Sequence, residues 1–434
     1  MINYELAIGI MDIMVICLFF LMLSFSWYYV ASLFISAKKV KPVPHSNKKT
    51  KFAIIVPARN ESKVIEHIIL SLQRQTYDKN YFDPWFIVES EDDPTIGFVR
   101  KAGYKYFVRK DLEGKRRKGF AIQELYNYFK ENDIAYDAYM IFDADNILSK
   151  NYIKIMNDLR QTGVQVGLGY RNYTNASLNS LTITSAIFFS YMMTFTARMR
   201  TNLFKKTTLC GTGYYIDAQV IDDAGGWIFT GMTEDIQLTT WCYYHDVNMR
   251  YYPLVDYYDE QCSTLKASHN QKVRWIWGYF HSKKQFKQPG VDYHNISPTR
   301  RRLSKFEFNV AIYPFAVFTV LNFLLFAISL GLTISSFFFS KPEYSYRFLG
   351  MAFFQFGVLY LTYIIVALAV IIKDNKKLKF NGVTILYACL TYILFFGGIL
   401  IAVLDGLFRK KKRSDWTPIE HTGDITSKEA NKSK

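Results

Sequence analysis

Two carboxylates, Asp143 and Asp145, follow the short apolar run Ala138–Phe142. A pair of hard-oxygen ligands at the end of a buried strand is an open clamp for Mg²⁺ or Mn²⁺. Such an ion bridges a diphosphate and offsets the charge that develops as it leaves. Short acidic turns after strands are common, so the pair alone does not establish a metal site. Further on, Thr233-Glu234-Asp235 opens an apolar pattern of helical period marked by Ile236, Leu238 and Trp241. Thr233 can cap that helix, with the two acids favouring its positive end, or Asp235 can be a general base that takes a proton from a hydroxyl. Then Gln271-Lys272-Val273-Arg274-Trp275 puts Gln271 and Arg274 on one helix face. Arg274 can hold a diphosphate in the bidentate way that lysine cannot. Trp275 offers a flat surface to a sugar ring, or an anchor at a membrane interface.

These groups need a frame that brings them together. Lys51–Pro57 reads as a buried strand, Ser62–Gln75 as a helix, and Trp85–Glu89 and Ala138–Phe142 as two further strands ending in acidic loops. That rhythm predicts a doubly wound, Rossmann-like α/β domain over residues 50–300, with its site at the carboxyl ends of the strands. Asn60, Glu89 and Asp143 all fall at such ends.

The chain carries a formal net charge of +16, much of it beside apolar runs: Lys38, Lys39, Lys41, Lys48 and Lys49, then Arg300–Arg302, Lys376, Lys377 and Lys379, and Arg409–Arg413. That placement reads as positive-inside anchoring against anionic headgroups. No nucleic-acid recognition module accompanies the charge, so nucleic acid is not an expected partner. The cysteines Cys17, Cys210, Cys242, Cys262 and Cys389 lack metal-type spacing and read as small hydrophobes in a reducing compartment.

Four apolar blocks, Ile13–Ile35, Val310–Phe339, Phe348–Ile372 and Val383–Phe408, each reach the roughly 20 residues that a bilayer demands. No Lys or Arg precedes the first, which places its N-terminus outside and the catalytic region in the cytoplasm of a multi-pass plasma-membrane protein. Three full spans after that region would leave Arg409–Arg413 outside, so the Gly397–Gly398 pair is expected to break the last block into a re-entrant or interfacial hairpin. The run Leu181–Ala197 is either an amphipathic helix lying on the membrane or a core helix. The expected divisions are 1–49, an anchor and basic linker; 50–300, the catalytic domain; 301–413, the C-terminal spans; and 414–434, a polar tail.

The three motifs, in this order and followed by apolar spans, resemble the processive branch of family-2 glycosyltransferases: cellulose, hyaluronan, chitin-oligosaccharide and poly-N-acetylglucosamine synthases. The resemblance covers about residues 50–290. It implies a GT-A type fold and an inverting, Mg²⁺- or Mn²⁺-dependent transfer from a UDP-sugar to a growing β-linked polysaccharide. UDP-N-acetylglucosamine is favoured over UDP-glucose. The alternative is transfer of a single sugar to a lipid-linked or glycolipid acceptor, and membrane lipids and export partners are the other implied contacts. Carried over by position, Pro57, Arg59 and Glu61 belong to the nucleotide-binding turn, with Glu89 at the uracil and Lys118 beside the diphosphate. Asp143 is the inner acid near sugar and uridine, and Asp145 the metal ligand. Asp235, with Glu234 and Thr233, matches the catalytic base motif; Gly211, Thr212 and Gly213 resemble the acceptor-pocket segment; Gln271, Arg274 and Trp275 cap the diphosphate and the acceptor end. The chain departs from the pattern in having Glu89-Ser90-Glu91-Asp92 in place of Asp-Asp-Gly-Ser, and Cys262 where proline usually follows Gln261. The ending Trp416–His421 resembles that of some bacterial members.

Overall fold

The computed structural model describes residues 4–285, 298–339 and 342–408. The basic run Arg409–Arg413 and the ending Trp416–His421 lie outside those residues. Eight strands form one mixed sheet: β1 (Phe52–Pro57), β2 (Phe82–Val88), β3 (Lys105–Val108), β4 (Ala138–Ile141), β5 (Ile147–Leu148), β6 (Val166–Tyr173), β7 (Tyr214–Asp217) and β8 (Met249–Asp259). Their order is β3-β2-β1-β4-β7-β6-β8-β5. The first four are parallel neighbours, and β7 runs antiparallel between β4 and β6.

The helices in the sheet domain are α2 (Ile65–Gln73), α3 (Thr95–Lys101), α4 (Lys118–Glu131), α5 (Tyr152–Arg160), α6 (Ser180–Tyr191), α7 (Arg198–Phe204), α8 (Ala218–Asp223), α9 (Glu234–Tyr244) and α10 (Leu265–Gln285). They explain why β1 is apolar at nearly every position: both faces of a parallel strand are covered. Ala53 and Ile55 pack with Ile122, Leu125 and Phe129 of α4 and with Leu238 and Trp241 of α9. Phe52, Ile54 and Val56 pack on the other face with Ile65, Ile68 and Leu72 of α2 and with Ile153 and Met156 of α5.

The long apolar helices are α1 (Tyr4–Ala37), α11 (Pro298–Phe338) and α12 (Pro342–Leu378); α13 (Gly382–Thr391) and α14 (Ile393–Phe408) follow. Segments Val320–Phe338, Pro342–Leu378 and Gly382–Asp405 are long and apolar enough to cross a membrane, and α1 covers the first predicted span. Ser180–Phe204 also has that length and apolarity, but 78% of its apolar window is buried inside the protein. The segment Leu181–Ala197 is thus helical and packed inside the protein. Its residues Ile183, Ile187 and Phe189 join Leu359, Tyr363, Tyr392 and Phe396 in one cluster that ties the sheet domain to the C-terminal helices. A π-helical turn at Met192–Ala197 links α6 to α7.

The helix break expected at Gly397–Gly398 falls instead at Tyr392. Both glycines are helical; Gly397 has open space beside it, and Gly398 faces α10. A methyl group on Gly398 would sit 3.3 Å from the Lys272 side chain, so the missing side chain lets α10 lie against α14. The same contact is secured by His269 Nε2 with Asp405 Oδ2 (3.0 Å) and by the Lys272 ammonium over the Phe395 ring (4.6 Å).

With 37 residues, α12 is about 55 Å long, well beyond the ~30 Å hydrocarbon layer. Its far end reaches the sheet domain. There the buried Asp374 carboxylate accepts from Tyr170 Oη of β6 (3.2 Å) and from Thr194 Oγ1 in the π turn. Lys377 Nζ donates to the Pro253 carbonyl (3.1 Å) and lies over the Tyr170 ring.

Candidate active site

The parallel strands end on one side, and the turns leaving them carry the acidic groups. After β4, Asp143 N–H donates to Thr212 Oγ1 (2.9 Å) and to Asn146 Oδ1 (3.1 Å). The Asp143–Asp145 turn is thereby fixed to the Gly211-Thr212-Gly213 segment. Lys118, the first residue of α4, closes the arrangement. Its Nζ meets Asp143 Oδ1 at 2.5 Å, the Gly211 carbonyl at 2.7 Å and Glu234 Oε1 at 3.9 Å. Burial lowers the pKa of Lys118, but the charges of Asp143 and Glu234 outweigh that and the net shift is upward.

Thr233, Glu234 and Asp235 stand at the start of α9. Thr233 makes no side-chain cap bond to the helix, so the simple capping reading does not describe it. It packs instead against Gly278 of α10, where a methyl group would come within 2.3 Å of its side chain. Glu234 is buried, and burial pushes its carboxyl up to about 7 against the pull of Lys118. Burial also raises Asp235, opposed by the Ile236 N–H that donates to Oδ1 (2.9 Å) and by the charges of Lys118 and Arg274. A methyl group on Gly211 would lie 3.8 Å from Asp235 Oδ2, so the base candidate borders the predicted acceptor segment. A carboxylate raised toward neutrality beside a cation suits proton transfer.

At the other edge, the nucleotide-turn residues Pro57, Arg59 and Glu61 leave β1. Asn60 adopts φ 56°, and its N–H donates to Asp93 Oδ2 (2.9 Å); Glu61 N–H donates to Thr95 Oγ1 (3.1 Å). Glu89, expected at the uracil, is ion-paired with Arg59 (2.9 Å) and faces Arg109 (3.7 Å), which also holds Glu124 (3.1 Å). On α10, Gln271 and Arg274 are part-buried. Trp275 meets Phe189 of α6 edge-to-face at 5.6 Å.

The sequence missed Asp259. It ends β8, and one carboxylate oxygen from each of Asp143, Asp145 and Asp259 lies within 4.8 Å of the others. Three hard-oxygen donors converging in this way fit Mg²⁺ or Mn²⁺. Asp259 also has structural work, since Oδ1 accepts from Asn146 Nδ2 (2.9 Å) and Oδ2 from Arg171 Nε (3.0 Å) and Gln261 Nε2 (2.9 Å). The Arg171 guanidinium in turn covers the Phe189 ring at 4.3 Å. A continuous line of contacts therefore runs from the acidic cluster to Trp275. Asp259→Asn leaves Arg171 buried without its anion, an expected loss of about 3–5 kcal/mol. Thermal unfolding of the purified variant checks it; an unchanged midpoint contradicts it. The one sequence signal was the Asp259-Glu260-Gln261 run closing a long strand, of which only the Glu-Gln pair stood out.

The glycosyltransferase-like family 2 model matches residues 49–278. The probable glycosyltransferase YdaM of Bacillus subtilis is 25% identical over 235 residues, covering 52% of this chain and 55% of its own length. The β-monoglucosyldiacylglycerol synthase of Trichormus variabilis is 24% identical over 233 residues, 52% of this chain and 48% of its own. The chain thus spans about half the length of the curated relatives it matches. Among solved structures, the mannosyltransferase PcManGT of Pyrobaculum calidifontis, in complex with GDP-Man and Mn²⁺, superposes with a TM-score of 0.56 at 12% identity. That match covers 93% of this chain and 99% of the other, and at this identity it is a likeness of fold.

Proposed function

The chain belongs to glycosyltransferase family 2, and from that membership we propose that it transfers a sugar from a UDP-sugar, with inversion, to an acceptor held at the membrane. The observation that carries the reading is Lys118, which bridges Asp143 to the Gly211 carbonyl and faces Glu234, next to Asp235. In one displacement, Asp235 accepts the proton of an acceptor hydroxyl, whose oxygen forms a bond to the anomeric carbon. The bond from that carbon to the diphosphate oxygen breaks, and UDP leaves with the electron pair. Lys118 and Arg274 present cations to the departing diphosphate. Pro57, Arg59, Glu61 and Glu89 border the nucleoside, and Gly211–Gly213, Gln271 and Trp275 the acceptor. Asp145 and Asp143, positioned by Asp259 and Asn146, would hold Mg²⁺ or Mn²⁺, which supplies charge to offset that of the diphosphate.

Two acceptors are distinguishable. Relatives named for a glucosyldiacylglycerol product support a lipid that receives one sugar, and this reading comes first. A growing polysaccharide is the second, supported by the Gln271–Arg274–Trp275 element on α10. The test is UDP release by the purified protein in nanodiscs. UDP-N-acetylglucosamine, UDP-glucose and GDP-mannose are offered in turn, with Mn²⁺, Mg²⁺ or chelator, and labelled products are sized. Metal-dependent release from one UDP-sugar with a single-sugar lipid product is expected. A high-molecular-weight product would select the polymer, and release from GDP-mannose alone would reject the UDP donor.

The carboxyl shifts set a pH dependence. Because Glu234 is pushed up to about 7, kcat/KM should fall as pH drops through about 7 and that carboxyl protonates; the upward shift of Asp235 acts in the same direction. Lys118 favours their charged forms, so Lys118→Met should move the acid limb to higher pH. An acid limb that stays in place would remove Lys118 from the electrostatics of the base.

We also propose that the spans cross a plasma membrane with the catalytic domain cytoplasmic, where UDP-sugars are made. Labelling of a Lys101→Cys variant in intact cells by an impermeant thiol reagent would contradict that orientation.

A further inference from the structure

We propose that the cavity between the end of α1, helix α7 and the start of β8 binds the phosphate group of an anionic phospholipid. The cavity has a volume of about 370 Å³ and is lined by Lys38, Lys39, Lys41, Arg198 and Arg250, with Thr201, Tyr251 and Tyr252 among the uncharged residues. No carboxylate lines it. None of the five cations has an ion-pair partner among the described residues; Lys38, Lys39 and Lys41 are exposed, but Arg198 is buried, and the buried cations Arg109, Arg171 and Lys206 each have a carboxylate. Arg198 is only 9% exposed, and its Nε has no hydrogen-bond partner. A buried guanidinium without an anion is costly, and the planar fork of arginine matches phosphate oxygens. The charge of Asp374 acts on Arg198 without forming an ion pair, and no carboxylate enters the cavity, so the cavity is open to an anion from outside the protein.

The donor diphosphate is not that anion. Arg250 lies beside Gly167 of β6 and Asp259 beside Tyr173, with an irregularity between them, so the cavity and the acidic cluster are separated by roughly 20 Å along the sheet at ~3.3 Å per residue of β6. Position points to a lipid instead. The three lysines come directly after the long apolar helix α1, and one turn earlier Leu33 and Phe34 are exposed at 42% and 74%. A headgroup phosphate in the cavity leaves its acyl chains beside those two side chains.

The test uses the full chain in neutral-detergent micelles, titrated with short-chain phosphatidylglycerol, short-chain phosphatidylcholine or inorganic phosphate. Saturable phosphatidylglycerol binding is expected, at least about tenfold tighter than phosphatidylcholine and unchanged by saturating UDP. Arg198→Met should weaken it about tenfold, the scale of one lost charge-assisted phosphate contact. Because Arg198 is buried, the exposed double variant Lys39→Gln/Lys41→Gln provides a second reading that does not touch the core, and it should weaken binding in the same direction. Lys101→Gln, on the far α3, should not. Equal affinity for the two lipids, or binding unchanged in both variants, would overturn the site. Inorganic phosphate binding as tightly as the anionic lipid would overturn the lipid as its occupant.

Discussion

Asp235→Asn should slow sugar transfer by about 10²–10⁴-fold, the usual contribution of a positioned general base, while UDP affinity stays within about twofold. The amide keeps the shape of the carboxylate and the bond from Ile236 N–H, and loses only the capacity to take a proton. The split between the two readouts is informative because Asp235 borders Gly211 of the proposed acceptor segment, whereas Glu89 and Arg59 pair with each other in the turns proposed to hold the nucleoside. Single-turnover transfer and UDP titration on one preparation measure both. A loss of less than about tenfold would move the base assignment from Asp235 to its buried neighbour Glu234.

Asp145→Asn should have the second large effect, on donor binding. Asp145 is 6% exposed, with Oδ1 accepting from Asn146 and Oδ2 from the Glu260 N–H. The amide replaces a charged hard ligand by a neutral one. Mn²⁺-dependent UDP affinity should drop by at least the ~10–100-fold that outer-shell changes alone cost at metal sites. In chelator, variant and parent should bind UDP equally weakly. If the variant keeps full Mn²⁺-dependent affinity, Asp145 is not a ligand and the cluster of three carboxylates is structural.

Asp143, Asp145 and Asp235 stand out in the sequence as candidates because each sits at an element boundary that local pattern announces, whereas Lys118 rests on the family resemblance alone. Strand β4 is an apolar run that stops at Asp143, and α9 starts where its apolar period starts. Asp259 had no such announcement. Its approach to Asp143 depends on β8 crossing beside β6, and on the Asn146 bridge from a distant turn. Glu89 was assigned to the nucleobase from its place after β2. Its pairing with Arg109 depends on the lateral register of β2 and β3, which no local motif encodes. The pair Gly397–Gly398 was misread because glycine signals two things, a backbone free to turn and a surface open to a close neighbour. Only the position of Lys272 shows which one applies.

The reach of α12 into the sheet domain has a practical consequence. Severing the chain after residue 285 would strip Asp374 from Tyr170 and Thr194 and lay bare Ile183, Ile187 and Phe189. A sheet domain cut at that point would therefore expose an apolar face that α12 and α14 cover. On the proposed function, the acceptor would have to reach a sheet domain that is held against apolar helices.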